Sequence, residues 1–238
     1  MSKSNGVVAF GRETIRYEVQ FLTTRRTLGI EVHPNLQVLV RAPTNCDPAI
    51  IAAKVHQRAP WISKRLAEFQ RFSPRTPPRQ FVSGETHLYL GRQYRLKASG
   101  GNVSSVKMAR GQLIVSTRGE TQPEQVKATL QRWYRQRARE VFQEILDSCF
   151  KPFARRGHNC PRLAVRAMQT RWGSLSRSGL ITLNGNLIRA PKGCIEYVVV
   201  HELCHLEHEN HGPKFYRLLE QLIPDWLKRK RKLEEVLL

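Results

Sequence analysis

The chain has 238 residues, of which 40% are apolar and 25% are charged, as is usual for a globular protein with a sizeable core. Its 40 Lys and Arg against 19 Asp and Glu give a net charge of +21, which makes nucleic acid and nucleotides candidate partners. No apolar run is long enough for a bilayer and residues 1–10 lack the signal-peptide pattern, so we expect a cytoplasmic protein without membrane contact. The five cysteines form no CxxC pair, which argues against a disulfide framework.

The first part of the chain has the alternating pattern of β-strands. Strands are predicted at 14–19, 36–41, 87–90, 94–96 and 113–115, with a turn at 33–35 and a hairpin tip at 99–102. A helix is predicted from Pro48 to about Gln70, because Asp47 can cap it and proline suits the first helical position. Prolines between residues 74 and 78 end this helix and begin a connector.

The pattern changes near residue 120, where helical periodicity begins. Helices are predicted from Pro123 to about Cys149, over 194–209 and after Pro213, with strands at 163–168 and 180–183. We therefore predict an α+β fold with a strand-rich N-terminal domain at 1–120 and a mixed C-terminal domain at 121–238. No internal repeat is visible in the sequence.

Two clusters of cations stand out, at 132–139 and 228–232. Trp133 and Tyr134 lie between arginines of the first cluster, where their rings could stack on bases. The pattern therefore favours nucleic-acid binding without sequence preference. A basic face that serves only solubility is the alternative.

A histidine, a glutamate and a second histidine occupy positions 201, 202 and 205 of a predicted helix. Residues four apart project from one helix face, so His201 and His205 can approach one ion, and neutral imidazole is a good zinc ligand. Glu202, beside the first ligand, can reach a water on the metal rather than the metal itself. This spacing is typical of zinc hydrolases, in which the carboxylate acts as a general base.

A third ligand is expected at His211, six residues beyond His205. A continuous helix would carry His211 too far along its axis, so the chain must turn before it. Asn210 and Gly212–Pro213 supply residues suited to a turn. His208, three residues after His205, remains the rival third ligand.

Several segments together resemble a known family. They are 25–28, 40–43, 61–62, 83–85, 89–92, 169–174, 181–184, 195–206 and 210–215. In these the chain is similar to the YgjP-like metallopeptidase family, which is related to the SprT-like and WLM zincins. The resemblance implies a zincin-like catalytic domain at 121–238 that acts on protein or peptide substrates. It also implies one zinc ion per chain, held by His201, His205 and His211, with Glu202 as the catalytic base.

The segment that precedes the predicted metal helix offers candidate substrate contacts. Arg171 and Ser174 could line a cleft, while Trp172 between them is expected to fill the core. Asn184 is a further candidate, either for substrate or for holding backbone near the site. Two other functions stay open: a metal-dependent nucleotide phosphohydrolase, favoured by the positive charge, and a nucleic-acid-binding protein with structural zinc. The sequence leaves the oligomeric state open.

Overall fold

The computed structural model describes residues 3–11, 13–33, 36–70, 79–168 and 171–237. Two compact units make up the chain, Met1–Pro77 and Pro78–Leu237. The domain boundary expected near residue 120 falls inside the second unit, at the step from a strand to a helix. The connector expected at 74–78 lies outside the described residues, as does most of the turn expected at 33–35.

The first unit is a four-stranded sheet covered by one helix. Its elements are β1 (Lys3–Phe10), β2 (Glu13–Leu22), β3 (Gly29–Val32), β4 (Val38–Pro43) and α1 (Pro48–Gln70). The strand order is β1-β2-β4-β3, with β2 and β4 parallel and the outer pairs antiparallel. The expected start of α1 is confirmed, because Asp47 Oδ1 accepts a hydrogen bond from the amide of Ala49 at 2.8 Å.

The second unit begins with another four-stranded sheet and a long helix. Its elements are β5 (Thr86–Tyr89), β6 (Arg92–Gly101), β7 (Ser105–Ala109), β8 (Gln112–Arg118) and α2 (Pro123–Ala154). The hairpin tip expected at 99–102 is wrong for residues 99–101, which continue β6 and pair in parallel with β8. Glycine is needed there, because a Cβ on Gly100 would lie 2.5 Å from the carbonyl oxygen of Gly119.

These two sheet-and-helix segments have the same topology. The second sheet has the order β5-β6-β8-β7, again with a parallel central pair and antiparallel outer pairs. In each segment a four-residue connection (44–47 and 119–122) leads to a helix whose first residue is proline. The third, seventh and eleventh residues after that proline are buried in both helices: Ile51, Val55 and Ala59, and Val126, Leu130 and Tyr134. The structure thus contains a repeated ββββα segment, which inspection of the sequence alone does not reveal.

The remainder of the second unit is a small sheet followed by three helices. Its elements are β9 (Arg162–Arg166), β10 (Gly173–Leu175), β11 (Leu180–Asn184), a 3₁₀ helix (Gly185–Arg189), α3 (Lys192–Cys204), α4 (Pro213–Leu222) and α5 (Trp226–Leu237). The sheet has the order β10-β11-β9. The predicted α+β fold with a strand-rich N-terminal part is confirmed. Among the described residues, no helix is both long and apolar enough to cross a membrane.

The aromatic residues within the basic segment of α2 belong to the core. Tyr134 is buried, and its hydroxyl donates to the carbonyl oxygen of Leu88 at 2.7 Å. The Trp133 ring packs against Tyr89, with 4.9 Å between ring centroids. The expectation that Tyr134 stacks on bases is therefore wrong, and Trp133 is half-buried against the core.

Candidate metal centre

Three imidazole rings converge beside the C-terminal end of α3. His201 lies in the last turn of α3, His205 directly follows the helix, and His211 lies in the loop before α4. One nitrogen from each ring can be chosen so that all three atoms lie within 4.8 Å of one another. Nε2 of His201 and Nε2 of His211 lie 2.9 Å apart. The structure thus brings together the three histidines that the sequence singled out.

The regular helix ends before His205, earlier than the sequence indicated, and hydrogen-bonded turns follow it to His208. Helix α3 ends at Cys204, and its last turn is tightened by a 3.1 Å bond from the His205 amide to the Glu202 carbonyl oxygen. Asn210 takes part in the turn without a left-handed conformation, because the Gly212 amide donates to its carbonyl oxygen at 2.8 Å. The expected helix over 194–209 therefore extends five residues too far at its C-terminal end. The loop that follows α3 returns His211 to the other two rings.

His208 supports the cluster through its backbone. Its carbonyl oxygen lies 2.9 Å from Nδ1 of His205 and can accept a hydrogen bond when that nitrogen carries the proton. Nε2 of His205 is then the nitrogen with a free lone pair. A carbonyl that orients a metal-ligating imidazole in this way is common in metal sites. Within the part of the chain that the structure describes, the side chain of His208 does not belong to the three-residue cluster.

The electrostatics of the cluster favour neutral imidazoles. Burial, followed by the neighbouring His211 and His205, lowers the pKa of His201 to about 4. Burial and His205 lower the pKa of His211 as well. Nδ1 of His201 is buried and has no hydrogen-bond partner among the described residues. Neutral imidazole is the form that binds a metal ion, so this donor set fits a transition metal such as zinc.

Glu202 is a buried carboxyl group held against strand β10. Burial raises its pKa to about 7, while Arg171 and a hydrogen bond from the backbone amide of Leu175 act in the opposite direction. Strand β10 approaches closely at Gly173, where an added Cβ would lie 2.8 Å from both Cγ and Oε1 of Glu202. The backbone of β10 therefore positions this carboxylate, a role that no local sequence pattern indicated.

Phe215 packs against all three histidines. Its fully buried ring, on the first turns of α4, lies 5.0, 4.8 and 4.6 Å from the ring centroids of His201, His205 and His211. Sequence reasoning gave Phe215 no function. Its position two residues after a proline that opens a helix was the only available signal.

A cleft of about 940 Å³ opens onto the three histidines and Glu202. Arg171 and Ser174 lie in its wall, as expected, and Trp172 both lines it and packs against the core. Asn184 is buried and lies outside the cleft lining. Its Nδ2 donates to the carbonyl oxygens of Met168 and Arg171, at 2.8 and 3.1 Å. Asn184 therefore holds the backbone of the segment that carries Arg171.

A family model for the YgjP-like metallopeptidase domain matches residues 26–236. The chain belongs to this family. It is accordingly a metallopeptidase, which implies a metal ion and a peptide or protein substrate. Because the match includes both units, the strand-rich N-terminal part of this YgjP-like protein belongs to the family pattern as well.

The YgjP-like chain also has limited similarity to two solved structures. One is the metallopeptidase zymogen abylysin of Pyrococcus abyssi, with 20% identity, a TM-score of 0.33, and coverage of 40% of this chain and 87% of that one. The other is the metallopeptidase zymogen jannalysin of Methanocaldococcus jannaschii, with 20% identity, a TM-score of 0.34, and coverage of 42% and 90%. No curated protein gives a match.

Proposed function

We propose that this YgjP-like protein is a zinc peptidase that holds one Zn²⁺ on His201, His205 and His211 and uses Glu202 as its general base. One observation carries the proposal: three imidazole nitrogens within 4.8 Å of one another share a cleft with a buried carboxyl group. Three protein nitrogens with space for a further ligand are typical of catalytic zinc. Magnesium and calcium prefer oxygen donors, which this cluster does not offer.

The protein's own groups supply the proton transfers. When bound, the ion acts as a Lewis acid and lowers the pKa of water to about 7. Glu202 accepts the proton of the attacking water and returns it to the leaving amine. Burial raises the pKa of Glu202 to about 7 in the metal-free protein, and a bound cation would lower it, which favours the carboxylate that accepts the proton. The Leu175 amide fixes the carboxylate, and Gly173 leaves room for it.

Substrate contacts are proposed for the cleft wall formed by the start of β10 and the residues before it. Arg171 and Ser174 both line this cleft, and their side chains can donate hydrogen bonds to peptide carbonyl oxygens. Asn184 acts indirectly, because its amide group holds the backbone at Arg171.

The test compares Glu202→Gln, His205→Ala and a matched control, Glu196→Gln, in which the same exchange is made on α3 outside the cleft. Each variant is purified and its zinc content is measured. Activity is assayed on denatured proteins and peptides. We expect Glu202→Gln to keep the metal and to lose about 10²- to 10⁴-fold in kcat/KM, because glutamine cannot accept the proton. His205→Ala should lose most of its zinc, and Glu196→Gln should behave as wild type. Full activity in a folded, zinc-loaded Glu202→Gln protein would refute the assigned base.

A second candidate is hydrolysis of nucleoside triphosphates at the same centre. The observation in its favour is that two cations, Arg171 and Arg177, line the cleft and could contact phosphates. Nucleoside triphosphates therefore form a parallel arm of the same assay. Turnover of triphosphates but not of peptides, abolished by Glu202→Gln, would change the substrate class and leave the catalytic centre unchanged.

A further inference from the structure

An exposed tryptophan lies on the outer face of helix α1. The side chain of Trp61 is 42% exposed, whereas the opposite face of α1 is buried against the sheet of the first unit. The other three tryptophans of the chain are half-buried and pack against the core of the second unit. Tryptophan is usually well buried, so this indole is an exposed aromatic surface on which another ring could stack.

Cations surround this tryptophan on the same helix face. Lys54 lies seven residues before Trp61, Arg58 lies three before it, and Lys64 lies three after it. All three side chains are exposed. At 100° per residue, these positions fall within about 60° of Trp61 around the helix. The four residues, here named the α1 patch, extend about 15 Å along the helix axis.

Among the described side chains, none forms an ion pair with the cations of the α1 patch. Residues 48–67 contain no Asp or Glu. In the described part of the chain, no ion pair involves Lys54, Arg58 or Lys64, and Lys54 donates only to the Gln57 side chain, at 2.9 Å. A row of uncompensated cations attracts a polyanion, and it does so most strongly at low salt.

The combination of one indole with a row of cations fits single-stranded nucleic acid. Unpaired bases can stack on an aromatic ring while the adjoining phosphates meet the cations. In a duplex the bases are stacked within the helix and cannot reach the indole. A lipid surface would need a larger apolar area, yet the next exposed apolar side chain on this face, Ile50, lies about 16 Å from Trp61 along the axis.

Helix α2 provides an internal comparison. Arg132, Arg135 and Arg139 also form an exposed row of cations. The neighbouring aromatic rings are less accessible than Trp61, because Tyr134 is buried and Trp133 is half-buried against Tyr89 and Tyr134. The two helices therefore offer similar charge, but only α1 combines its charge with an accessible ring.

We propose that the α1 patch binds single-stranded nucleic acid without sequence preference, with one base stacked on Trp61 and phosphates bound by Lys54, Arg58 and Lys64. The contact lies in the first unit, and every residue of the histidine cluster belongs to the second. The proposal is therefore independent of the hydrolytic function.

The test measures binding of the full-length protein to a fluorescent oligothymidylate of about 12 nucleotides, by anisotropy over a range of salt concentrations. We expect Trp61→Leu to weaken binding by about 5- to 160-fold, the range for loss of one stacked base, and Trp61→Phe to keep most of the affinity. The double variant Arg58→Ala/Lys64→Ala should lower the slope of log affinity against log salt by about 1.4. The matched control, Arg132→Ala/Arg135→Ala, removes the same charge from α2 and should change affinity less.

Circular dichroism checks that each variant is folded. If Trp61→Leu is misfolded, Trp61→Phe still gives a variant with an altered aromatic ring at this position. Equal losses in the two double variants, with no effect of Trp61→Leu, would overturn the proposal in favour of non-specific charge attraction. Trp61-dependent binding to vesicles of phosphatidylserine and phosphatidylcholine, without binding to the oligonucleotide, would overturn it in favour of a membrane partner.

Discussion

Replacing Gly173 by alanine should displace the proposed catalytic base while leaving the metal ligands in place. The new Cβ would lie 2.8 Å from Cγ and Oε1 of Glu202 and 3.1 Å from Cδ, whereas carbon atoms in contact prefer about 3.5–4.0 Å. Relief of this overlap requires a shift of about 1 Å. The carboxyl group must take much of that shift, because Gly173 is fixed within strand β10. A misplacement of this size in a catalytic group costs about 10²-fold in rate.

The assay is kcat/KM of the zinc-loaded variant on the best peptide found for the wild type, with metal content and thermal unfolding measured alongside. Gly101→Ala serves as the matched control, because Gly101 also lies in a strand and its added Cβ would meet Ser116 at an ordinary 3.7 Å. We expect the control to match wild type. Wild-type kcat/KM in folded, metal-loaded Gly173→Ala would show that the close approach of β10 does not position Glu202.

Two further predictions concern the packing of Phe215 against the histidines and the stability of the metal-free protein. Phe215→Ala should cost about 3–5 kcal/mol of unfolding free energy and reduce metal affinity by about 10- to 100-fold, because the ring packs against all three imidazoles. Chemical denaturation and metal competition measure the two effects. Phe142→Ala, in the core on α2, should lower the unfolding free energy but not the metal affinity. An equal loss of metal affinity in Phe142→Ala would contradict the reasoning. In the metal-free protein, burial raises the pKa of Glu202 from 4.5 to about 7. The protonated carboxyl group therefore contributes fully to the unfolding free energy below about pH 4.5, and this contribution is lost as pH rises through 7. Urea denaturation should therefore show Glu202→Gln gaining stability over wild type between about pH 5 and pH 8, by up to about 3 kcal/mol, and a difference independent of pH would contradict this.

The predictions from sequence succeeded where neighbouring residues determine the structure. The start of α1 follows from an aspartate cap and a first-position proline, both adjacent to the helix they begin. The facing positions of His201 and His205 follow from helical geometry alone. The return of His211 was predicted from the fact that a straight helix would carry it away from the other two rings.

Features that depend on distant contacts could not be predicted in this way. The contact of Gly173 with Glu202 joins residues far apart in the sequence, and it arises only because β10 packs beside α3. The same holds for Phe215, whose place beneath the histidines depends on the path of the loop before α4. The end of α3 was misplaced because residues 205–209 include good helix formers, while the turn after Cys204 is set by the tertiary structure.

The packing of Trp133 against the core had a signal in the sequence. Trp133 follows Val126 and Leu130 at helical spacing, which is the pattern of a core-facing side chain, and the structure places it against the core. Its position among arginines was given more weight than this periodicity. Trp61 likewise has cations on either side of it at helical spacing, a pattern that is visible in the sequence.

The repeated ββββα segment is what a duplication within the gene would leave behind, and it places the two copies under different selection. In the second copy, α2 packs against α3, the helix that carries His201, so changes along α2 are constrained by hydrolysis. The outer face of α1 lies in the first unit, whereas every residue of the histidine cluster lies in the second. Among homologues, we therefore expect the outer face of α1 to diverge or specialise independently of the hydrolytic centre, so that one ancestral segment serves as scaffold in one copy and as an evolving attachment surface in the other.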